Sequence, residues 1–357
     1  VIMTFNFYET KFGKEMFGEP VDVNKEWDVS EIPRPKYSKD DKVIIIDGDI
    51  LSFKVSAAVD GRGIKVTKDD KSRKYKTRTE FKSLCESKNW NFDSFDIEDI
   101  QEPEDISFCL ATMKNALKNV MQATGCNKYE VYVEGKGNFR TKLPLIDKYK
   151  DRGDSLRPVH LKACKEYLIK HCQAKRICNS ETDDVFQQRL YELSIDNINS
   201  IGYSNDKDAK QSYQFDITIY NPDDSSITTY KKGVGDLWET SNGIKGSGLK
   251  WLVFQCLLFD KIDGYCLNQF YTKRYGEKSF YKDFKDLKTE YEVLTKAVEV
   301  LKTKLPEKIE YTSWNGVDVS VDWLGLVDLY FKCCYMRIRD NDETTFESLL
   351  KEYGVEY

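Results

Sequence analysis

Lys42-Val43-Ile44-Ile45-Ile46 is a β-branched run that passes straight into Asp47-Gly48-Asp49. A strand that is apolar at every position, with no polar alternation, must be covered on both faces. Strands of that kind belong to sheets with helices on either side, so this short segment predicts an α/β fold. Glu130-Val131-Tyr132-Val133 reads as a second strand and stops at Glu134, and the strand-like residues 174–178 lead to Glu181-Thr182-Asp183-Asp184. Helical spacing joins Leu110, Met113, Leu117 and Val120, and again Leu161, Cys164, Leu168 and Ile169 after Pro158. Pro158 suits a helix start because its missing N–H would be unpaired there in any case. The expected sheet is mostly parallel and twisted, flanked by helices.

Residues 1–40 read as an arm, rich in aromatics and charges and ending near Ile32-Pro33-Arg34-Pro35. Residues 41–240 read as the α/β core, with a charged, irregular insertion over 60–105 that contains the basic stretch from Lys71 to Arg78. That stretch is a candidate nucleic-acid patch with Tyr75 for base stacking, although a solvated charge run explains it as well. Residues 241–357 read as mostly helical. A Gly-punctuated linker opens an apolar helix over 249–259, and a long amphipathic helix over 284–301 carries Phe284, Leu287, Tyr291, Leu294, Val298 and Leu301.

The chemistry is narrowed by what is scarce. Of 357 residues only two are histidines, His160 and His171, and the ten cysteines form no CxxC pair. Zinc sites and histidine-based catalysis are therefore poor fits. The cysteines read as reduced thiols of a cytoplasmic protein. No apolar run is long enough to span a bilayer, and no signal peptide precedes the first charges. A net charge of −5 argues against a nonspecific nucleic-acid coat but leaves room for a local basic groove.

Acids, by contrast, collect at the ends of predicted elements. Asp47 and Glu134 each follow a strand, and Glu181, Asp183 and Asp184 sit at a strand-to-helix junction capped by Asn179 or Ser180. Asp206 and Asp208, two apart in extended chain, point the same way; Asp260 and Asp263 share one face at the end of the apolar helix. The Glu181–Asp184 and Asp206–Asp208 groups alone have bland explanations as a helix cap and a turn, whereas Asp260 and Asp263, at a helix C-terminus where the dipole disfavours anions, call for an offsetting cation. Together they lie where open α/β sheets bind ligands, beyond the carboxyl ends of the strands. So many carboxylates repel one another unless cations join them, and oxygen-only donors favour Mg²⁺ or Mn²⁺.

In order along the chain, IIIDGDILSF, EGKGNFR, YKDR, ETDD, NDKD and FDKIDGY resemble the motifs of the 5′-nuclease superfamily of flap endonucleases and phage 5′→3′ exonucleases. The resemblance implies a PIN- and flap-endonuclease-like fold with a helical DNA-binding region. It implies that Asp47, Glu134, Glu181, Asp183 and Asp184 hold one divalent ion and that Asp206, Asp208, Asp260 and Asp263 hold or orient a second. It makes Lys150 a phosphate-contacting residue, with Arg140 and Arg152 as further phosphate partners. Two features depart from the family pattern. Glu134 stands where an aspartate is usual, and the glycine-rich hairpin that normally follows Asp263 is missing, leaving Lys273, Arg274 and Lys278 as basic substitutes. The implied activity is metal-dependent hydrolysis of DNA, and of the RNA strand of hybrids, in a phage-infected bacterial cytoplasm, with room for an unspecified protein partner. Two alternatives remain open on the sequence: a nuclease-fold protein that binds or inhibits without turnover, and a PIN-type ribonuclease.

Overall fold

The computed structural model describes residues 25–151 and 156–357. The first 24 residues of the expected arm, and Arg152, lie outside the described residues. Strands β1 (Glu26–Trp27) and β2 (Lys42–Asp47) precede helix α1 (Gly48–Ala58). The insertion follows, with β3 (Arg62–Lys68), β4 (Lys71–Tyr75), α2 (Arg78–Lys88) and β5 (Asp96–Gln101). Helices and strands then alternate through α3 (Ile106–Thr124), β6 (Lys128–Glu134), α4 (Leu161–Cys172), β7 (Lys175–Ile177), α5 (Thr182–Ile195) and β8 (Asn199–Tyr203), before β9 (Ile217–Tyr220) and β10 (Ile227–Tyr230).

The central sheet runs β1-β7-β6-β2-β8-β9-β10, and every neighbouring pair is parallel except β9 with β10. The α/β expectation from Lys42–Ile46 therefore holds, and its physical reason is visible. Val43, Ile44, Ile45 and Ile46 are all fully buried. Ile44 and Ile46 pack under α1, α3 and α4, with Leu51, Met113 and Leu168. Val43 and Ile45 pack on the opposite face against Val185, Phe186 and Leu190 of α5. At roughly 1.5–3 kcal/mol for each such side chain removed from water, this one strand anchors both layers.

Parallel register also fixes where the strands end. Asp47 pairs with Tyr132, Ile46 with Tyr203, Glu134 with Ile177 and Tyr203 with Tyr220. The carboxyl ends of β2, β6, β7 and β8 thus form one row. The chain reverses its direction of travel across the sheet on passing from β7 to β8, which opens a crevice at that row.

The C-terminal third has its own core. A hairpin of β11 (Leu237–Thr240) and β12 (Gly243–Gly246) leads into α6 (Gly248–Leu257), which is buried along its whole length. After it come β13 (Phe259–Asp260), β14 (Tyr265–Cys266), α7 (Glu277–Phe284), α8 (Glu290–Lys304), β15 (Ile309–Thr312), β16 (Asp318–Val321), α9 (Trp323–Cys334) and α10 (Phe346–Glu352). No helix among the described residues is long and apolar enough to cross a membrane.

Several local expectations are revised. The insertion is regular: β4-β3-β5 is an antiparallel sheet whose Ile64 and Val66 cover Phe81 and Cys85 of α2. The basic stretch from Lys71 is strand β4. The single helix expected over 284–301 is two, because Thr289 and Glu292 form a capping box that starts α8 afresh. The apolar helix stops at Leu257, so Asp260 and Asp263 lie in the tight β13–β14 hairpin, turned by Gly264 at φ +73°.

Gly202 in β8 lies where α5 packs tightly on the sheet. A Cβ there would stand 2.4 Å from the Phe186 ring and 2.9 Å from Leu190. Gly202→Ala is expected to destabilise the protein by about 1–3 kcal/mol through overpacking. Urea denaturation should show a lower midpoint with an unchanged slope.

Candidate metal centre

Asp47 ends β2 and also caps α1, its Oδ1 accepting from the backbone N–H groups of Asp49 (2.8 Å) and Ile50 (3.1 Å). Gly48 makes this junction possible, since a Cβ there would lie 2.7 Å from the Tyr132 carbonyl oxygen. Asp49 then ties three acid-bearing segments together. Its Oδ2 accepts from the N–H of Glu134 (2.7 Å) and from the hydroxyl of Thr182 (3.0 Å), and its Oδ1 pairs with Lys165 of α4. Glu134 itself is exposed at the rim.

Glu181, not Asn179 or Ser180, is the residue before the first turn of α5. Its buried carboxylate receives Asn138 Nδ2 at 2.6 Å, Lys150 Nζ at 2.7 Å, Arg140 Nη1 at 3.1 Å and the Tyr149 hydroxyl at 3.3 Å. Asp183 points from the first turn of the same helix into the pit. Burial, and then Asp206 and Asp47, push its carboxyl well above the ordinary range. Burial followed by Asp49 pushes Asp47 up to about 8.

Asp206 and Asp208 follow β8. They are not in extended chain: Asp206 Oδ1 accepts the Asp208 N–H at 2.8 Å, and Asp208 opens a short 3₁₀ turn. Gln255 of α6 donates to Asp208, and Lys207 pairs with Asp260. In the β13–β14 turn, Asp260 Oδ1 accepts from the N–H groups of Ile262 (2.9 Å) and Asp263 (3.3 Å). Asp263 accepts from the Tyr149 hydroxyl at 3.1 Å. One carboxylate oxygen each of Asp208, Asp260 and Asp263 falls within a 4.8 Å span. Burial raises Asp208 well above its usual range and Asp263 to about 6.

Two residues are placed differently from their sequence reading. Both oxygens of Asp184 are filled by protein: Oδ2 by Arg140 Nη1 (2.6 Å) and Ser180 Oγ (3.1 Å), Oδ1 by Arg140 Nη2 (2.8 Å) and the Arg337 N–H (3.0 Å). Burial would raise Asp184, yet the Arg140 guanidinium holds it below its ordinary value. Arg140 is fully buried and also donates to the carbonyls of Lys332 and Tyr335, so no phosphate can reach it from solvent. Lys150 does sit among the acids. Its backbone takes φ +53°, held by donation of its N–H to the Asp263 carbonyl at 2.8 Å, and its ammonium lies 3.8 Å from Asp263 Oδ1. Burial would lower the Lys150 ammonium, but Glu181 and Asp263 carry it upward. Lys273 and Arg274 are exposed on the loop before α7, with no hydrogen bond or ion pair to the acids among the described residues.

The donor set is all oxygen, densely anionic and only partly neutralised, which suits hard divalent ions. Sequence reasoning did not assign Asp49, Asn138, Tyr149, Lys165, Lys207 or Gln255. Tyr149 and Lys207 adjoin assigned residues; Lys165 and Gln255 gave no signal, because their roles depend on how α4 and α6 dock.

No family profile and no curated protein matches the chain. Solved structures from T5 are similar to it. The T5 D15 protein co-crystallised with metal ions has 12% identity, covering 71% of this chain and 78% of that one with a TM-score of 0.39. A point mutant of T5 5′-exonuclease has 14% identity over 71% and 76%, with a TM-score of 0.34. T5 5′-exonuclease with zinc bound has 12% identity over 87% of each chain, also with a TM-score of 0.34.

Two outcomes follow from this geometry. Asp47 keeps its proton to about pH 8 in the folded, metal-free protein, whereas an unfolded carboxylate loses it near pH 4. Its contribution is therefore full below pH 4 and lost as pH rises toward 8. Melting of chelator-treated protein should show Tm falling over pH 5–8, with a shallower fall in Asp47→Asn and a larger gain from Mg²⁺ at pH 8 than at pH 6. Separately, Arg140→Met should cost about 3–5 kcal/mol by stranding Asp184. Adding Asp184→Leu should recover part of that loss in a double-mutant denaturation cycle.

Proposed function

We propose that the protein is a divalent-metal-dependent 5′-nuclease that hydrolyses phosphodiester bonds in DNA. The observation that carries this reading is the meeting of carboxylates from the ends of β2 and β8, the start of α5 and the β13–β14 turn in one pit. In this reading Asp47, Asp183 and Asp206, with Glu134 at the rim and Glu181 behind, hold one ion. Asp208, Asp260 and Asp263 hold the second. Asp184 is the anchor of Arg140 and not a ligand.

Bound Mg²⁺ or Mn²⁺ would supply Lewis acidity and charge neutralisation at the scissile phosphate. The chain's own groups do the rest. Asp49, through Glu134 and Thr182, fixes the spacing of the first acid set. Tyr149 spans Glu181 and Asp263 and so ties the two sets to each other. Lys150 places a positive charge where the sets meet, at the mouth, and there it meets a phosphate oxygen of a bound strand. The Lys150 side chain is one-fifth exposed, which suits a group that both pairs with acids and touches substrate. The 5′ polarity rests on the ordered motif resemblance from Ile44 to Tyr265.

The test is a 5′-labelled duplex with a single-stranded tail, incubated with Mg²⁺ and then with EDTA. Cleavage should require the metal. Asp183→Asn and Asp206→Asn should abolish it while the far-UV spectrum stays native, and Lys150→Ala should lower kcat by about 100-fold or more, as loss of one electrostatic contact to the transition state does. Metal-dependent cleavage that survives in Asp183→Asn would remove the mechanism. DNA left intact while single-stranded RNA is cut would point to a ribonuclease instead.

A further inference from the structure

Trp314 occupies the bend between β15 and β16 and is held in a particular way. Its backbone N–H donates to the Leu145 carbonyl at 2.9 Å, and its indole Nε1–H donates to the Leu143 carbonyl at 3.0 Å. Tyr311, three residues earlier on β15 of the same hairpin, donates its hydroxyl to the Pro144 carbonyl at 2.8 Å. Three consecutive carbonyls of segment 143–145 are therefore gripped by this hairpin, and five residues later the same segment delivers Lys150 to the acids. The indole spends its only donor on this anchor, yet the side chain stays 39% exposed. Lys148 places its ammonium 5.5 Å from the ring centroid.

Lys148 also lines a cavity of about 450 Å³ whose walls include Asp260, Phe259, Lys261 and Tyr265. That size falls in the range of small-molecule and nucleotide pockets. Lys148 therefore belongs both to the wall of a cavity that Asp260 also lines and to the surroundings of the fixed Trp314 ring. Bases stack on such faces without regard to sequence, and a neighbouring ammonium suits the phosphate between two bases.

We infer that Trp314 is a stacking platform for an unpaired nucleobase of the strand whose phosphate lies at the acid centre, with Lys148 meeting the adjoining phosphate. This rests on the nuclease reading above and adds to it a binding position for single-stranded DNA. Immobilising the indole by its edge leaves the platform ordered before the strand arrives, so little side-chain freedom is lost on stacking.

The experiment uses the full chain carrying Asp183→Asn, in Mg²⁺, and fluorescence anisotropy with duplexes bearing a 5′ thymidine tail. Replacing single tail positions by abasic sites should reveal one position where affinity falls about 5- to 100-fold, the range of one base–aromatic stack. Trp314→Leu should lower affinity for the intact tail by a similar factor and become insensitive to the abasic site. Trp314→Phe, which keeps a ring but loses the bond to Leu143, should bind within about twofold of the parent. Abasic tails that all bind like the intact one overturn the platform, and this scan needs no variant at Trp314 to fold. Trp314→Phe losing as much as Trp314→Leu also overturns it, because the indole would then act only as a peg. If the unsubstituted chain cuts tailed DNA and its Asp183→Asn form binds that DNA while ignoring these changes, the nuclease reading stands alone; an Asp183→Asn chain that binds no DNA, together with an unsubstituted chain that cuts none, removes both.

Discussion

Like charge concentrated at one edge of a parallel sheet is the constraint to which the rest of this structure answers. Strand register dictates that the ends of β2, β6, β7 and β8 lie side by side, and the chain puts an acid at or just after each of them. In a partly dry pit such groups repel strongly, so the metal-free fold must supply cations of its own. Four acids receive a resident cation, Lys165 on Asp49, Lys150 on Glu181, Lys207 on Asp260 and Arg140 on Asp184, while burial and mutual repulsion push Asp47 and Asp183 toward their protonated forms. These four are not equivalent. Arg140 is sealed in, whereas Lys150 and Lys207 are partly exposed.

That difference explains why the C-terminal third belongs to the site and is not an appendage. The carbonyls of Lys332 and Tyr335 and the N–H of Arg337 close around the Arg140–Asp184 pair. Asp260 and Asp263 come from the same third, and α6 sends Gln255 to Asp208. The pit therefore lies on the seam between two hydrophobic cores, and its geometry depends on both being assembled.

Much of this was legible in the sequence because it depends on short-range rules. A β-branched run without alternation gave the covered strand, and acids placed directly after such runs gave the pit. Where local rules were applied to the wrong conformation, the reading failed. The sequence pattern puts Asp260 and Asp263 at a helix end, because the apolar run through Phe259 continues the helical pattern; the helix stops two residues sooner and the β13–β14 pairing, turned by Gly264, takes over. Segment 60–105 reads as irregular because charged and polar residues at the exposed positions of β3–β5 mask the short alternation of Ile64 and Val66, to which β5 adds Ile97. Arg140 reads as a phosphate partner because a guanidinium fits phosphate as well as carboxylate, and nothing local tells which one it will meet. Pairings that span 44 residues, as that of Arg140 with Asp184 does, are beyond any local pattern.

The β3–β5 insertion leaves and rejoins the core at a narrow neck. Glu102 N–H reaches the Gly61 carbonyl at 3.3 Å, and Glu104 N–H reaches that of Val59 at 2.8 Å. With its own small apolar centre and its two ends already touching, this segment hangs on the molecule like a pendant on a clasp. Its length and sequence can drift without disturbing the parallel sheet, so the scaffold has a place to acquire new surface at little mechanical cost to the machinery beneath.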